Sequence, residues 1–323
     1  MKYRFITILH RMKLEGDKNK GIEIAPGVRL SNGKSVLYQT IHTELMLATL
    51  GVHSITEFKD VVYLYADGEF SESTKEDVDE FGVKQTFVFL RSVQSFLYNL
   101  WEVRDHNIYI RDGFLLVYDK NFEDGFTYKA SLSEVFTDAK GELDEVTIIP
   151  DQEIKMAKKD YIFDINDRDD ETFGGRNPSS DHFFKGKGST RLQRARYFVV
   201  GARNSSILPM KIISYCTALE CLFTIGKTEI NHKIAERVAL LLGTSKETKQ
   251  NLFKIIKDAY NYRSALVHGQ YLKGTNEDLL TISVSLDEIL RKLLTGNIDI
   301  FSMDDKTMEN YYLDLLFASE KEK

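Results

Sequence analysis

The stretch KQNLFKIIKDAYNYRSALVHG, residues 249–269, has the hydrophobic period of an amphipathic helix. At about 100° per residue it places Arg263 on one stripe with four apolar residues, namely Leu252, Ile256, Ala259 and Leu266. The pattern ends at His268, and Gly269 follows in the position that commonly closes a helix. A guanidinium keeps its charge at neutral pH, so an arginine on a core-facing stripe needs an anionic partner.

The residues alone leave two interpretations open for each of these polar groups. Arg263 is either an arginine whose stem lies along the core beside a carboxylate, or one whose planar fork is held ready for a phosphate. His268 either caps a free carbonyl at the helix end or serves as a general acid and base. Five residues turn an ideal helix by about 140°, so a bent arginine stem or a loosened last turn must bring Arg263 and His268 together.

Similar helical patterns lie on both sides of this stretch. The segments PMKIISYCTALECLFT (209–224) and NHKIAERVALLLG (231–243) each carry one apolar stripe. TSKE (244–247) and TNED (275–278) have the form of capping boxes that open two helices. A last helix carries Met308, Tyr311, Tyr312 and Leu315. Helices of similar length joined by short loops predict an all-α antiparallel bundle over residues 191–323.

The N-terminal part of the sequence, residues 1–164, mixes strand and helix patterns. YRFITIL (3–9), DVVYLYAD (60–67) and VTIIP (146–150) are typical of strands, and FVFLRSVQSFLYNLWEVRD (87–105) is typical of a helix. Asp112-Gly113 stands between two apolar runs and predicts the type I′ turn of a hairpin. We therefore expect an α+β domain of unknown role, joined to the bundle by a loop or linker over 165–190, which is rich in Asp, Gly, Ser and Asn.

The composition is typical of a globular protein, with 42% apolar and 28% charged residues in a chain of 323. No apolar run reaches the roughly eighteen residues that a membrane helix needs, so we expect no membrane segment. Cys216 and Cys221 are the only cysteines and lie in one predicted helix. Two cysteines cannot form a four-cysteine zinc site, and no H-x-x-x-H or H-E-x-x-H spacing occurs. We expect no metal, no cofactor and a reducing cytoplasmic setting.

The net charge of −6 is unevenly distributed along the chain. Residues 191–270 hold 13 Lys and Arg against 5 Asp and Glu, a local net charge of +8. A basic segment in an acidic protein is a candidate contact surface for a polyanion. The alternative is an ordinary solvated helix surface.

Two segments of the bundle resemble a known family. YNYRSALVHG (260–269), with an arginine, four residues and then a histidine, resembles the motif of HEPN-domain ribonucleases. Its Arg-Ser-x-x-x-His-Gly form after an aromatic-rich helix is similar to the Apea-like branch. ALECLF (218–223) resembles the glutamate-bearing helix of that branch. The resemblance covers roughly residues 190–295, and Ser264 stands where many members have Asn, Asp or His.

The resemblance implies a metal-independent endoribonuclease that works as a homodimer, with two Arg–His motifs meeting in a cleft. Arg263 and His268 would be catalytic, and four residues would support them: Glu220, Ser264, Asn261 and Tyr262. The RNA 2′-hydroxyl would attack its adjacent phosphate, so neither a metal nor a cofactor would be required. By analogy with defence and toxin effectors, the N-terminal domain would sense a trigger or restrain the nuclease.

A non-catalytic role stays open beside this one. A HEPN-like bundle can act as a dimerisation scaffold or as a regulatory binding protein. In that case Arg263 and Glu220 form an internal ion pair and His268 only caps its helix. We expect the two roles to differ in whether Arg263 and His268 face a common groove.

Overall fold

The chain folds into two compact units, of which the first contains β-sheet and the second is helical. The computed structural model describes residues 1–69, 75–120, 122–159, 161–163, 189–226, 228–296 and 298–317. The first unit comprises Met1–Phe136 and Asp144–Asn177, and the second comprises Thr137–Leu143 and Pro178–Lys323. An N-terminal sheet region followed by a C-terminal helical region is therefore confirmed. All but two residues of the predicted 165–190 linker lie outside the described ranges.

The first unit is built on a six-stranded antiparallel sheet. Its strand order is β3-β4-β5-β1-β6-β7. The six strands are β1 (Lys2–Leu9), β3 (Ile22–Ala25), β4 (Val28–Ser31), β5 (Val62–Glu69), β6 (Asp112–Tyr118) and β7 (Gly125–Ser131). Two short strands, β2 (Met12–Leu14) and β8 (Thr147–Ile149), pair in parallel beside it. The helices of this unit are α1 (Lys34–Ile41), α2 (Glu44–Glu57), α3 (Lys75–Val103) and α4 (Asp151–Ala157).

Helices cover both faces of this sheet. Alternate residues of a strand point to opposite faces, and the central strand β1 is apolar on each. On one face Ile6 and Ile8 pack in a cluster with Ile41 and Met46 from α1 and α2. On the other face the ring of Phe5 meets Phe89 of α3 edge to face, with centroids 5.3 Å apart. The long apolar run of β1 is thus explained by burial on both sides.

The strands predicted at 3–9, 60–67 and 146–150 and the helix at 87–105 are confirmed, but the hairpin turn at Asp112-Gly113 is wrong. Asp112 begins β6, and this strand pairs with β7 and β1. A side chain at Gly113 would place its Cβ 2.7 Å from Leu90 and 2.8 Å from Phe5. The glycine allows α3 to pack closely on the sheet. This is a requirement of tertiary packing, and in the local sequence it looks the same as a turn signal.

The second unit contains seven helices among its described residues. They are α5 (Arg191–Arg203), α6 (Leu208–Phe223), α7 (Ile230–Leu242), α8 (Lys246–Val267), α9 (Asn276–Gly296), α10 (Ile298–Phe301) and α11 (Asp305–Phe317). Helix α6 is central, because it packs against α5, α7, α8 and α9. Its predicted stripe is fully buried: Ile212, Tyr215, Cys216, Leu219, Leu222 and Phe223. None of the helices within the described ranges is both long and apolar enough to cross a lipid bilayer.

Side-chain contacts define the directions of these helices. Arg191 at the start of α5 donates to the Thr224 carbonyl after α6, whereas Lys211 near the start of α6 donates to Ala202 near the end of α5. Helices α5 and α6 are therefore antiparallel. Helix α8 runs in the same direction as α6. Tyr260 of α8 contacts Cys216 of α6, and one turn further along both helices Arg263 contacts Glu220.

One capping box agrees with its prediction and the other is displaced. In TNED, Thr275 Oγ1 accepts a hydrogen bond from the Asp278 amide (3.2 Å), and Asp278 accepts one from the Thr275 amide (2.7 Å). The box predicted over 244–247 instead joins Ser245 and Thr248. Thr248 Oγ1 accepts from the Ser245 amide at 2.8 Å, so a hydroxyl performs the task expected of the Glu247 carboxylate.

A short segment from the N-terminal half of the chain belongs to the helical unit. Thr137 donates from its amide to the Arg203 carbonyl (2.8 Å) and from its hydroxyl to the Ser205 carbonyl (2.8 Å). Ser283 of α9 donates to the Ala139 carbonyl at 2.6 Å. The two Thr137 bonds satisfy carbonyls at the end of α5, and no local sequence pattern indicated any of the three bonds.

Gly113→Ala is expected to lower the free energy of unfolding of the first unit by about 1–3 kcal/mol, because the added methyl overpacks the contact with Leu90 and Phe5. Trp101 is the chain's single tryptophan and is fully buried in α3, so its fluorescence during guanidinium denaturation reports on this unit. Gly201→Ala in α5 is the control, since its Cβ would meet no atom within 4 Å. An unchanged Trp101 midpoint for Gly113→Ala would contradict the packing account.

Candidate functional site

The end of α8 is a regular, fully capped helix terminus. Gly269 has a φ of 64°. The Gln270 amide donates to the Ala265 carbonyl (2.8 Å) and the Gly269 amide to the Leu266 carbonyl (3.1 Å), which is the Schellman arrangement. The His268 amide still donates to Ser264 at 3.1 Å. The suggestion that a loosened last turn brings His268 toward Arg263 is therefore wrong, because every bond of a regular ending is present.

Arg263 finds its anionic partner on α6. Its Nη2 lies 3.3 Å from Oε1 and 3.5 Å from Oε2 of Glu220. The Arg263 side chain is 33% exposed and that of Glu220 is 25% exposed, so the pair sits at the margin of the core. Within the described part of the chain, the enclosed Nε of Arg263 makes no hydrogen bond. The ion pair explains how a permanent cation can occupy the core-facing stripe of α8.

Two neutral groups lie beside this ion pair. Tyr260 Oη donates to the Cys216 carbonyl at 3.3 Å, and both residues are buried. Burial raises the pKa of Tyr260, and the Cys216 thiol and the Glu220 carboxylate raise it further. Burial, with the Glu220 charge, raises the pKa of Cys216 to about 12. At neutral pH neither group ionises, so the charge here belongs to Glu220 and Arg263.

His268 is exposed to solvent at the C-cap position of α8. Because α8 stays helical through Val267, His268 follows Arg263 by about 140° of rotation and roughly 7.5 Å of rise. Arg263 points toward α6, and His268 lies on the solvent side. The structure brings Arg263 together with Glu220, and it does not place His268 on the face of α8 that carries Arg263.

The other supporting residues divide between two faces of α8. Asn261 and Ser264 are exposed, and at about 100° per residue both fall on the same side of the helix as His268. Tyr262 is half-buried against the loop that follows α8, where its hydroxyl would lie 2.5 Å from a Cβ at Gly274. Sequence reasoning passed over Tyr260 and Cys216. Tyr260 precedes Arg263 by three residues on the core side of α8, and that spacing is the signal that could have identified it.

Some of the cationic side chains in residues 191–270 are paired inside the helical unit. Arg237 is buried, donates to the Phe223 carbonyl (2.7 Å) and pairs with Glu309 of α11. Arg191 donates to the Thr224 carbonyl (2.9 Å) and pairs with Asp305 at the start of α11. Both arginines satisfy carbonyls at the end of α6, where a cation is favourable to the helix dipole. The sequence-based charge of +8 therefore overstates the positive surface available to a polyanion.

Comparison with protein-family models, with curated proteins and with solved structures gives no match for this chain. Within the described residues, no three side chains of His, Cys, Asp or Glu are grouped as a metal site would require. The resemblance of residues 260–269 to HEPN ribonucleases stays an expectation from their sequence motif.

A double-mutant cycle on Glu220→Gln and Arg263→Met is expected to give a coupling energy of about 0.5–3 kcal/mol, because each substitution leaves a partly enclosed charge without its partner. Guanidinium unfolding followed by circular dichroism at the helix band measures it. Glu288 and Lys292 on α9, which are 56% and 60% exposed, form the control pair and should couple by about 0.3–0.5 kcal/mol. A coupling no larger than that of the control pair would show that the Glu220–Arg263 contact does not stabilise the unit.

Proposed function

We propose that this protein is a metal-independent endoribonuclease of the HEPN type, acting in the cytoplasm as a homodimer. The arrangement at the end of α8 carries the proposal. Arg263 is oriented by Glu220 and keeps a third of its side chain exposed, and a capped helix end presents His268 to solvent five residues later. A fixed cation and a titratable ring are the two groups that cleavage by the RNA 2′-hydroxyl requires.

Each group has a defined task in this chemistry. The 2′-oxygen attacks the adjacent phosphorus while the bond from phosphorus to the 5′-oxygen breaks. His268 takes the proton of the 2′-hydroxyl or supplies one to the departing 5′-oxygen. Arg263 stabilises the additional negative charge on the phosphorane. The products are a 2′,3′-cyclic phosphate and a 5′-hydroxyl, and the step needs neither a metal nor a cofactor.

The geometry of α8 favours an active site shared by two copies. Glu220 holds Arg263 on the α6 side of the helix, whereas His268 lies on the solvent side. A second copy related by two-fold symmetry can present its own Arg263 to the first copy's His268, and the reverse contact then follows. Glu220 acts in this arrangement as a positioning residue. Asn261 and Ser264 are placed to contact the same strand as His268, and Tyr262 supports the loop after α8.

The first unit has a regulatory role in this proposal. Its sheet is covered by helices on both faces, and it contributes none of the proposed site residues. We assign it the detection of a trigger or the restraint of the nuclease, as in defence and toxin effectors of similar organisation.

A second candidate function rests on the same ion pair. Because Glu220 already partners Arg263 within one chain, the pair can be purely structural and the helical unit can serve as a dimerisation scaffold or regulatory binding protein. In that case His268 has no chemical task and the protein does not cleave RNA.

His268→Ala is expected to lower the rate of single-stranded RNA cleavage by about 10²–10⁴-fold, because proton transfer is lost. Purified full-length protein is incubated with RNA in the presence of a chelator, and the product ends are mapped. Cyclic phosphate ends made without metal support the proposal, and an RNA whose 2′-hydroxyls are replaced by fluorine should resist cleavage. His232→Ala, another exposed histidine of the helical unit, is the control and should keep full activity. Undiminished cleavage by His268→Ala would rule out the assigned role and favour the scaffold.

Mixing inactive Arg263→Ala and His268→Ala proteins is expected to restore part of the cleavage activity. In a mixed dimer the intact Arg263 of one copy faces the intact His268 of the other, so one complete site is present. Subunit exchange is verified by mass measurement of differently tagged chains, and the doubly substituted protein mixed with itself is the control. Exchange without any recovery would show that the two groups do not act across a dimer.

A further inference from the structure

The solvent side of α8 carries a continuous row of cationic and hydrogen-bonding side chains. At about 100° per residue, seven of them fall within an arc of roughly 80°: Lys246, Gln250, Lys254, Lys257, Asn261, Ser264 and His268. All seven are exposed except Lys257, which is half-buried. From Lys254 to His268 the row extends about 21 Å along the helix. We call this row the α8 track.

The N-terminal half of the track carries three lysines and no acidic residue. The two acidic residues of α8, Glu247 and Asp258, fall just outside the arc. Unlike Arg191, Arg237 and Arg263, the three track lysines form no ion pair within the described part of the chain. Their charge is therefore directed to solvent, where it can neutralise a polyanion.

An exposed aromatic ring stands beyond the C-terminal end of the track. Tyr271 is 98% exposed, three residues after His268. Its loop is held at both ends, by the Schellman bonds of Gly269 and Gln270 and by the close contact of Gly274 with Tyr262. A tyrosine held in this way offers a flat apolar surface to a nucleobase, as in proteins that stack the bases of single strands.

We propose that the α8 track and Tyr271 together bind single-stranded RNA across the site. This inference rests on the proposed function and adds the substrate-binding surface to it. The lysines contact successive phosphates, Asn261 and Ser264 hydrogen-bond to the sugar-phosphate chain, and the strand reaches His268 with the next base stacked on Tyr271. A duplex is not bound in this way, because its bases are not free to stack on a side chain.

The lysine contribution is tested with Lys254→Gln/Lys257→Gln in the full chain. The probe is a fluorescent single-stranded RNA with 2′-fluoro sugars, which cannot be cleaved by 2′-hydroxyl attack. The plot of log affinity against log salt should become shallower by about 0.7 for each phosphate contact removed. Lys292→Gln/Lys306→Gln changes the net charge equally from α9 and α11 and should leave the slope as in the wild type. An equal change of slope in both double variants, or no change in either, would contradict the proposal that the α8 track binds RNA.

The aromatic contribution is tested with Tyr271→Ala and Tyr271→Trp. Loss of one stacked base should weaken binding of the same probe by roughly five- to 150-fold without altering the salt slope, and tryptophan should retain binding. Phe317→Ala, an exposed aromatic of α11, is the control and should bind normally. Unchanged binding by Tyr271→Ala overturns the stacking role. So does a change of oligomeric state in this variant, which would assign Tyr271 to contact with a second copy.

These outcomes separate the binding surface from the nuclease. If the uncleavable strand binds as described but no RNA is cleaved, the track stands and the nuclease proposal fails. If His268→Ala abolishes cleavage while the lysine and Tyr271 variants bind and cleave as the wild type does, the nuclease stands and the track fails. A wild-type protein that does not bind the probe contradicts the track directly.

Discussion

The permanent charge of Arg263 is the constraint on which the arrangement of the helical unit depends. A guanidinium on the core side of α8 cannot be neutralised by a shift of protonation, so the fold must supply an anion at that point. Glu220 supplies it from α6, the central helix of the unit. The neighbouring bond from Tyr260 to the Cys216 carbonyl lies one turn away on both helices. Together the two contacts fix the register of α8 on α6, because a slide by one residue would break both.

That register gives α8 two chemically different sides. The side facing α6 carries apolar residues and the paired Arg263, and the opposite side carries lysines, Asn261, Ser264 and His268. An arginine and a histidine five residues later therefore lie on different sides of a helix that is regular to its end. The regular ending is enforced by Gly269, whose left-handed backbone directs the chain into the loop that holds Tyr271. In the proposed homodimer, two-fold pairing of the chains brings Arg263 of one copy to His268 of the other.

Distant partners explain two of the differences between the sequence-based expectations and the structure, and a local shift explains the third. Asp112-Gly113 has the local chemistry of a hairpin turn, but Gly113 is small because α3 approaches the sheet there. TSKE has the spacing of a capping box, but the hydroxyl of Thr248 competes successfully with the carboxylate of Glu247. The net charge of +8 over residues 191–270 includes Arg191 and Arg237, which are paired with carboxylates of α11, about 70 to 115 residues away in sequence. Gly113 and the two arginines contact partners far away in sequence, whereas the capping box is displaced by one residue within its own local window.

Hydrophobic periodicity and capping chemistry by themselves located six of the eleven described helices and three of the eight described strands, because those signals depend on residues within one or two turns of each other. They also determined that Arg263 must have an anionic partner, since its charge and its place on the apolar stripe are properties of α8 alone. Which carboxylate pairs with Arg263 was decided only by the packing of α6 against α8. The same packing decided that His268 faces solvent on the far side of α8, because the side of a helix that is exposed is fixed only when the opposite side packs against its neighbours.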